Sequence, residues 1–551
     1  MKKDIRKFAL ENAVKFEGRA NAGSVIGKIF SEHPKMKEKA KELAKDVNKI
    51  VAEVNGMKKE EQLAELEKIA PELLEKKEKK KAERELPELD NVKGKVVMRM
   101  APYPSGPLHI GNTKTYVTND YYVKKYGGKL LLVMDDTIGS TEKTISLEAY
   151  DLIPEGLRWL GVEFDKEIVY KSDRLEVYYE YAEELIRKGF AYVCKCGSEV
   201  LRENRAKGHV CECREEGIDK TLDEWKKMFK GYKEGEAALR IKTSMEHPNP
   251  AFRDRVLFRI CEREHPKVGN KYRVWPLLEF SWAIDDHLLG ITHVVRGKDL
   301  MMESDMEKFI WDIFGWDKPE LIHTALVQLE GVKISKSKSS KEVRSGEYSG
   351  WDDPRTWSLQ SLKRRGILPE AIRGFALSFG VNQNEITVPI ETLYSENRKL
   401  LDPVARRFFF VEAPEKVRIK NAPNMEVELN LHPDTQKGGR VFVTNEDFFL
   451  PGNEEVKDGQ IYRLMNLFNF KAGEFVSREH DSSLKAKMIH WLPADAENVE
   501  VEVLMPDGKV KKGLAERGVK NLKEGDIIQF ERFGFCRLDK AGDKFKFWFA
   551  H

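Results

Sequence analysis

The stretch APYPSGPLHIGN, from Ala101 to Asn112, decides the fold of the central part of the chain. It follows the apolar run KVVMRM, which predicts a buried strand. It precedes TKTYVTNDYYVKKYGG, which predicts a helix ended by two glycines. KLLLVMDD then predicts a second strand, and SLEAYDLIPEGLRWLGV another helix. This alternation indicates a parallel, doubly wound, Rossmann-like sheet.

The turn between the first strand and its helix is suited to binding a phosphorylated ligand, because such sheets bind ligands beyond the carboxyl ends of their strands. The start of the helix offers unpaired N–H groups, and the imidazole of His109 can donate to phosphate oxygens. Three prolines make the loop rigid: Pro102, Pro104 and Pro107. Small residues let a nucleotide approach the backbone: Ser105, Gly106 and Gly111.

A second basic element, VKISKSKSSK, runs from Val332 to Lys341. Its lysines and hydroxyls can close on a triphosphate, whereas its simpler interpretation is a solvated loop. Together with the HIGN stretch, it favours a nucleotide site.

Bulk properties narrow the class of protein. A chain of 551 residues predicts roughly three or four domains. The net charge of +3 neither demands nor excludes a nucleic-acid partner. The first residues lack the apolar core of a signal peptide, and no apolar run approaches the roughly 20 residues that span a bilayer. Six cysteines in so long a chain do not form a disulfide framework, so we expect a cytoplasmic protein.

Changes in composition and in the pattern of apolar residues predict six segments. A helical N-terminal extension occupies 1–92, and the two halves of the Rossmann-like domain occupy 93–190 and 281–330. An insertion separates them at 191–280. A loop with mainly helical sequence follows at 331–402, and short β-type runs with turns fill 403–551, which suggests β-barrels. The lysine- and glutamate-rich stretch before Pro87 predicts a charged helix, with a solvated face favoured over a nucleic-acid contact.

Four cysteines in the insertion form a C-x-C…C-x-C set: Cys194, Cys196, Cys211 and Cys213. Four thiolates on two tight turns can enclose a tetrahedral zinc, although the spacing is tighter than in the common C-x-x-C knuckle. We expect this zinc to be structural, because four thiolates leave no open coordination position. Cys261 and Cys536 stand alone, and we expect both to be buried.

HIGN and the downstream KISKS resemble the HIGH and KMSKS signatures of class I aminoacyl-tRNA synthetases. EAYDLIPEGLRWLGVEFD, IDDHLLGITHVVRGKD and the C-terminal MIHWL extend the likeness to glutamyl-tRNA synthetases of the archaeal type. The resemblance runs from about Lys95 to the end of the chain. It implies an inserted acceptor-stem-binding domain, a stem-contact region after the KMSKS loop and a C-terminal β-barrel domain that binds the anticodon.

The resemblance also implies a reaction and its site. Glutamate attacks the α-phosphate of ATP, with Mg²⁺, and the glutamyl group then passes to tRNA(Glu), with tRNA(Gln) as a further substrate to test. Contacts with ATP are implied for Pro102, Gly106, His109, Gly111, Asn112, Lys333, Ser335, Lys336 and Ser337. Among these, the catalytic residues are His109, Asn112, Lys333 and Lys336. Contacts with L-glutamate are implied for Arg99, Ala101, Asp135 and Arg296.

The chain departs from the family pattern on the amino-acid side of the pocket. Val133 replaces an arginine, Leu278 a tyrosine and Leu300 a frequent histidine, and Thr137 is followed by Ile138 and Gly139. These changes bear on amino-acid specificity and leave the residues for ATP intact.

Three alternatives remain open at this point. The chain resembles glutaminyl-tRNA synthetases less closely but shares their motif skeleton, and a catalytically silent tRNA-binding protein is a further possibility. If tRNA(Gln) is also charged with glutamate, a tRNA-dependent amidotransferase is the expected partner. The N-terminal helices are a candidate docking site for it or for other synthetases. Aromatics such as Phe468 and Trp491 are candidates for stacking on anticodon bases, although a core position is the commoner role.

Overall fold

The computed structural model describes residues 2–15, 18–32, 40–70, 85–140, 144–325, 327–332, 336–452, 456–457 and 459–551. These residues divide into two compact units, Met1–Glu85 and Leu86–His551. No helix in the described ranges is both long and apolar enough to cross a membrane.

The first unit is helical, as its sequence predicts. Its helices are α1 Lys2–Lys15, α2 Ala22–Glu32, α3 Ala40–Asn55 and α4 Lys59–Ile69. They pack around a buried apolar core that includes Phe8, Val47 and Leu66. Most of the predicted charged helix before Pro87 lies outside the described residues.

The second unit begins with strands and helices in alternation. They are β1 Val97–Met100, α5 Thr113–Tyr126, β2 Lys129–Met134, α6 Ala149–Trp159, β3 Val169–Tyr170 and α7 Leu175–Arg187. The last five residues of β2 are buried, as expected for a parallel strand covered on both faces.

An insertion with its own sheet follows. Its elements are β4 Ala191–Cys194, α8 Ser198–Lys207, α9 Ile218–Lys230, β5 Ala238–Ile241, β6 Val256–Ile260 and β7 Val274–Pro276. The four strands are antiparallel in the order β4-β5-β6-β7.

The first sheet is completed after the insertion. The elements are α10 Leu278–Leu288, β8 His293–Gly297, α11 Met301–Phe314 and β9 Glu320–Thr324. The strands are all parallel and lie in the order β3-β2-β1-β8-β9. Strands β2 and β3 lie on one side of β1, and β8 and β9 lie on the other side. The direction in which strands are added to the sheet therefore reverses between β1 and β8. This is the predicted doubly wound sheet, and the edge beside β1 and β8 is where such sheets bind ligands.

A mixed region connects this sheet to the C-terminal part. It contains β10 Val327–Glu330, α12 Lys336–Arg344, α13 Leu359–Arg365, α14 Pro369–Leu377, β11 Ile386–Pro389 and α15 Glu391–Leu401. The mainly helical prediction for this region is correct, with the small parallel pair β10–β11 as the addition.

The C-terminal part consists of short strands, as its alternating sequence predicts. They are β12 Arg407–Phe408, β13 Phe410–Glu412, β14 Pro414–Arg418, β15 Met425–His432, β16 Gln436–Thr444, β17 Asp447–Pro451, β18 Ile461–Leu464, β19 Asn469–Lys471, β20 Glu474–Ser477, β21 Lys487–Ile489, β22 Leu492–Pro493, β23 Val499–Leu504, β24 Val510–Ala515, β25 Ile527–Phe530, β26 Gly534–Lys540 and β27 Phe545–Phe549. The largest sheet has seven strands in the order β12-β25-β26-β27-β23-β24-β13. Phe468 and Trp491 are fully buried in one of the apolar cores, so neither presents a ring for base stacking.

Candidate active site

The loop between β1 and α5 is held by reciprocal hydrogen bonds around its histidine. His109 precedes a short 3-10 turn, Ile110–Asn112, and its Nδ1 accepts the N–H of Gly111 at 3.1 Å. Oδ1 of Asn112 accepts the N–H of His109 at 3.2 Å. Because Nδ1 is an acceptor, the proton of the neutral ring lies on Nε2. The histidine ring therefore has a fixed orientation at the start of the helix.

A second segment, which sequence reasoning missed, fixes the same loop. Ile110 N–H donates to the carbonyl of Trp357 at 3.2 Å, and Leu359 N–H donates to the carbonyl of Leu108 at 2.9 Å. Gly106 has φ +153°, and a Cβ placed there would lie 2.9 Å from the Trp351 ring. Residues 351–359 thus form one wall of the loop that carries His109.

A cavity of about 980 Å³ opens beside this loop. Among the sequence-predicted residues it is lined by Ala101, Pro102, His109, Asn112 and Asp135. Helix α12 adds two cations: Lys341, the last lysine of the VKISKSKSSK stretch, and Arg344, which was not predicted. The cavity is therefore bounded by the HIGN loop and by the helix that begins within the KISKS stretch.

A smaller cavity of about 130 Å³ lies at the ends of β1 and β8. Its predicted lining residues are Arg99, Ala101, Gly111, Asn112 and Arg296. Trp282 lines both cavities. Gly106 lines neither cavity, and a Cβ built on it would point at the Trp351 ring.

The two arginines predicted to face the substrate are already paired with buried carboxylates. Arg99 donates to Asp286 through Nε at 2.5 Å and Nη2 at 2.9 Å. Arg296 makes a bidentate pair with Glu307, with Nη1 to Oε1 at 2.8 Å. Burial lowers the pKa of Arg99, but Asp286 outweighs this effect and leaves the pKa raised. Each guanidinium group is therefore held in position by two hydrogen bonds to one carboxylate.

Asp135 is paired in the same way with a lysine that the sequence did not single out. Lys171, at 0% exposure, lies with Nζ 3.0 Å from Oδ1 of Asp135 and donates to Oγ of Ser281 at 2.8 Å. Burial lowers the pKa of Lys171, and Asp135 opposes this shift. The backbone N–H of Asp135 also donates to the carbonyl of Pro102 at 3.1 Å, which ties the end of β2 to the loop after β1.

The KISKS stretch is only partly described. Lys333 and Ser335 lie outside the described residues. Lys336 and Ser337 begin α12, where the backbone alone is described.

The residues that depart from the family pattern lie either at the large cavity or in buried apolar clusters. Leu278 and Leu300 line the large cavity, where they present apolar side chains. Val133 and Ile138 are buried in apolar clusters.

The four cysteines of the insertion come together as the spacing predicted. Cys194 and Cys211 have their sulfurs 3.9 Å apart, Cys196 and Cys213 have theirs 4.0 Å apart, and all four ligand atoms lie within 4.8 Å of one another. Zinc–sulfur bonds of about 2.3 Å in a tetrahedron place sulfurs about 3.8 Å apart. The cluster is therefore compatible with a bound zinc ion.

The remaining two cysteines, Cys261 and Cys536, are buried as expected. Burial raises the pKa of the Cys536 thiol well above its usual value.

Comparison with known proteins agrees with this architecture. The family model for the catalytic domain of class I tRNA synthetases (E and Q) matches residues 95–403. Two models for the anti-codon binding domain of the same family match residues 405–490 and 488–539.

Named relatives match along the whole chain. The glutamate–tRNA ligase of Methanocaldococcus jannaschii is 45% identical and covers 100% of both chains. That of Pyrococcus furiosus is also 45% identical, over 99% of this chain and 98% of its own.

A solved glutamate tRNA ligase from Elizabethkingia meningosepticum aligns with 57% of this chain and 70% of that chain, at 21% identity and a TM-score of 0.40.

The chain therefore belongs to the class I tRNA synthetases for glutamate and glutamine, in their glutamate–tRNA ligase branch. The resemblance in the sequence motifs is thereby confirmed.

Proposed function

We propose that the protein activates L-glutamate with ATP and transfers it to the 3′-terminal adenosine of tRNA(Glu). The full-length similarity to glutamate–tRNA ligases carries this proposal. In the first step the amino-acid carboxylate attacks the α-phosphate, which gives glutamyl-adenylate and pyrophosphate. In the second step a hydroxyl of the terminal adenosine takes the glutamyl group and AMP leaves.

The large cavity supports a role in binding ATP. His109 and Asn112 line it and would donate hydrogen bonds to the phosphates, with Pro102 shaping the loop. Gly111 allows close approach, whereas Gly106 acts through its packing against Trp351. The lysines Lys333 and Lys336 would stabilise negative charge on the α-phosphate and the pyrophosphate, and the hydroxyls of Ser335 and Ser337 would shape their loop. Mg²⁺ would accompany ATP, held mainly by phosphate oxygens.

The small cavity supports a role in binding L-glutamate. Arg99 and Arg296 would face its carboxylates, and Ala101 would form part of the wall. Asp135, which lines the adjoining large cavity, would face its amino group. Since each arginine holds a bidentate partner, only its remaining N–H groups are available to the substrate. Such fixed donors lose little conformational entropy when the substrate binds.

The other domains would bind tRNA. The insertion would contact the acceptor stem, with zinc holding its two cysteine turns and taking no part in the chemistry. The C-terminal sheets, as β-barrels, would bind the anticodon. Residues 331–402 would contact the stem between these regions.

The test is aminoacylation with labelled glutamate and labelled glutamine on separate tRNA(Glu) and tRNA(Gln) transcripts, with ATP and Mg²⁺. Glutamate on tRNA(Glu) is the expected product. Glutamate on both tRNAs would imply an amidotransferase partner. Glutamine charging, or no charging, would refute the proposal.

Lys336→Ala, with Lys338→Ala as a matched control, separates catalysis from mere tRNA binding. Lys338 is exposed on the same helix and lies 3.4 Å from Glu342. We expect Lys336→Ala to abolish charging while tRNA affinity stays nearly unchanged, and Lys338→Ala to charge normally. Normal charging by Lys336→Ala would remove that lysine from the mechanism.

A further inference from the structure

Residues 136–140, which follow β2, lie against the loop between β6 and β7 of the insertion. In this loop, Nη2 of Arg263 donates to the carbonyls of Ile138 at 3.0 Å and Ser140 at 2.7 Å. Nε of the same guanidinium group donates to Sγ of Cys261, a buried residue of the insertion, at 3.4 Å. Arg263 is therefore held within the insertion and bonded to two carbonyls outside it.

His265, two residues further along the same loop, makes a third bond to this segment. Its Nε2 lies 2.8 Å from the carbonyl of Asp136, which accepts the hydrogen bond. Nδ1 accepts the N–H of Lys267 at 3.1 Å, and the ring, 1% exposed, stacks on Trp275 at 5.1 Å. Because Nδ1 is an acceptor, the proton of the neutral ring lies on Nε2, as the bond to the carbonyl requires. Every second residue of an extended chain faces the same side, so the insertion holds three successive carbonyls on one side of residues 136–140.

The two residues that depart from the family pattern after Thr137 also contact the insertion. Ile138 is 3% exposed and packs in the apolar core that surrounds the sheet of the insertion. A Cβ on Gly139 would lie 3.0 Å from the carbonyl oxygens of Trp275 and Pro276, on β7. Backbone atoms cannot move aside as the end of a flexible side chain can, so no side chain fits at this position without a shift of the segment. The departure from the family pattern therefore fits close packing on the insertion.

This segment continues directly from a residue of the proposed amino-acid site. Asp135 lines the large cavity, and the next residue, Asp136, is bonded on two sides. Its carboxylate accepts the N–H and the hydroxyl of Ser172 at 2.8 and 2.7 Å and the hydroxyl of Tyr150 at 2.9 Å, while its carbonyl accepts from His265. Losing the contacts with the insertion would free one side of this segment to shift. A misplacement of about 1 Å near the reacting groups can cost about 100-fold in rate.

We propose that Arg263 and His265 are positioning residues, which act through residues 136–140 to place the Asp135 carboxylate against the amino group of L-glutamate. This inference rests on the proposed function. Neither side chain lines the large or the small cavity, so each acts on the substrate only through this segment. The effect should fall on the amino acid and spare ATP, because the HIGN loop is held by residues 351–359 instead.

The test replaces Arg263 with alanine and with lysine. It measures KM and kcat for glutamate and for ATP in aminoacylation, together with the unfolding temperature. Arg259→Ala is the matched control, since Arg259 is an exposed residue of β6 in the sheet of the insertion. Millimolar methylguanidinium, added to the Arg263→Ala protein, supplies the lost donors without the side chain.

We expect Arg263→Ala to raise KM for glutamate by roughly 10-fold while KM for ATP stays nearly unchanged. Arg263→Lys, which keeps a donor, and methylguanidinium should each restore part of the loss, and Arg259→Ala should match the wild type. Equal changes in the two KM values would indicate support of the fold alone and would overturn the inference. An unchanged KM for glutamate in a folded Arg263→Ala protein would overturn it as well.

Gly139→Ala displaces the same segment from the side of β7 without removing a donor, and it decides the matter if Arg263→Ala does not fold. Its control is Gly217→Ala, also in the insertion, since a Cβ there meets nothing within 4 Å. We expect Gly139→Ala to raise KM for glutamate and to leave KM for ATP nearly unchanged, and a folded variant with wild-type KM for glutamate would contradict the inference. The proposed function fails separately, if the wild-type protein itself does not charge glutamate.

Discussion

Gly106→Ala tests whether residues 351–359 hold the HIGN loop in place. The new Cβ would lie 2.9 and 3.1 Å from two ring atoms of Trp351, closer than packed carbons approach. Overpacking of this kind typically costs about 1–3 kcal/mol. The φ of +153° adds backbone strain of about 1–2 kcal/mol for a residue with a Cβ. We therefore expect the free energy of unfolding to fall by about 2–5 kcal/mol.

The functional consequence follows from the hydrogen bonds on either side of His109. Leu108 and Ile110 are hydrogen-bonded to residues 357–359. When the new Cβ displaces Trp351 and this segment, the ring of His109 should tilt, and KM for ATP should rise several-fold. Urea unfolding and aminoacylation at varied ATP concentration measure the two effects.

Two further variants sharpen this prediction. Trp351→Phe removes the ring atoms that collide, so the double variant Gly106→Ala/Trp351→Phe should recover about 1–2 kcal/mol relative to additivity. Gly94→Ala is the control, since a Cβ there meets nothing within 4 Å and its stability should change by less than about 0.5 kcal/mol. If Gly106→Ala and Gly94→Ala unfold at the same urea concentration, the reasoning about this wall is wrong.

Three other predictions concern the metal, a buried ion pair and pH. The proposed zinc site predicts that a chelator lowers the unfolding temperature, and that Cys213→Ser binds no zinc while Cys261→Ser does, as measured by metal analysis. Lys171→Met leaves the Asp135 carboxylate buried without its partner and should cost about 3–5 kcal/mol in urea unfolding, and a loss under 1 kcal/mol would contradict the pairing. Burial lowers the pKa of His323, and the nearby Arg296 of β8 lowers it further. Below the ordinary histidine pKa of 6.5, the unfolded chain therefore binds more protons than the folded chain. Stability should thus fall as pH drops through that range, and His323→Asn should flatten the slope in thermal unfolding at pH 7.5 and 5.5.

The order of elements in the nucleotide-binding part could be predicted because the signals are local. The runs KVVMRM and KLLLVMDD are apolar without alternation, as strands buried on both faces require, and both form parallel strands. The glycines after α5 end that helix, with Gly127 in the left-handed region at φ +59°. The cysteine spacing likewise brought four thiols together, because each pair lies on one short turn.

The partners of the charged site residues could not be predicted, because they depend on contacts between distant parts of the chain. Arg99 and Asp286 are 187 positions apart, and α10 brings the carboxylate back to the end of β1. An arginine at a strand end predicts an anion nearby, but the sequence does not say whether this is a substrate or an internal carboxylate. The family motifs identify Arg99 and Arg296, whereas the structure adds Trp282, Lys171 and the two acidic partners.

The contacts between the HIGN loop and the C-terminal sheet also could not be predicted from local sequence patterns. Arg364, at the end of α13, donates to both oxygens of Asp539 on β26 at 2.8 and 2.7 Å and to Asp352 at 2.7 Å. Asp352 follows Trp351, the residue that packs on Gly106. One continuous set of contacts therefore runs from β26 through α13 to the HIGN loop. The bidentate ion pair constrains the angle as well as the distance between α13 and β26. The loop that carries His109 is thus connected by contacts to residues more than 400 positions further along the chain, and a motif of four letters does not contain that information.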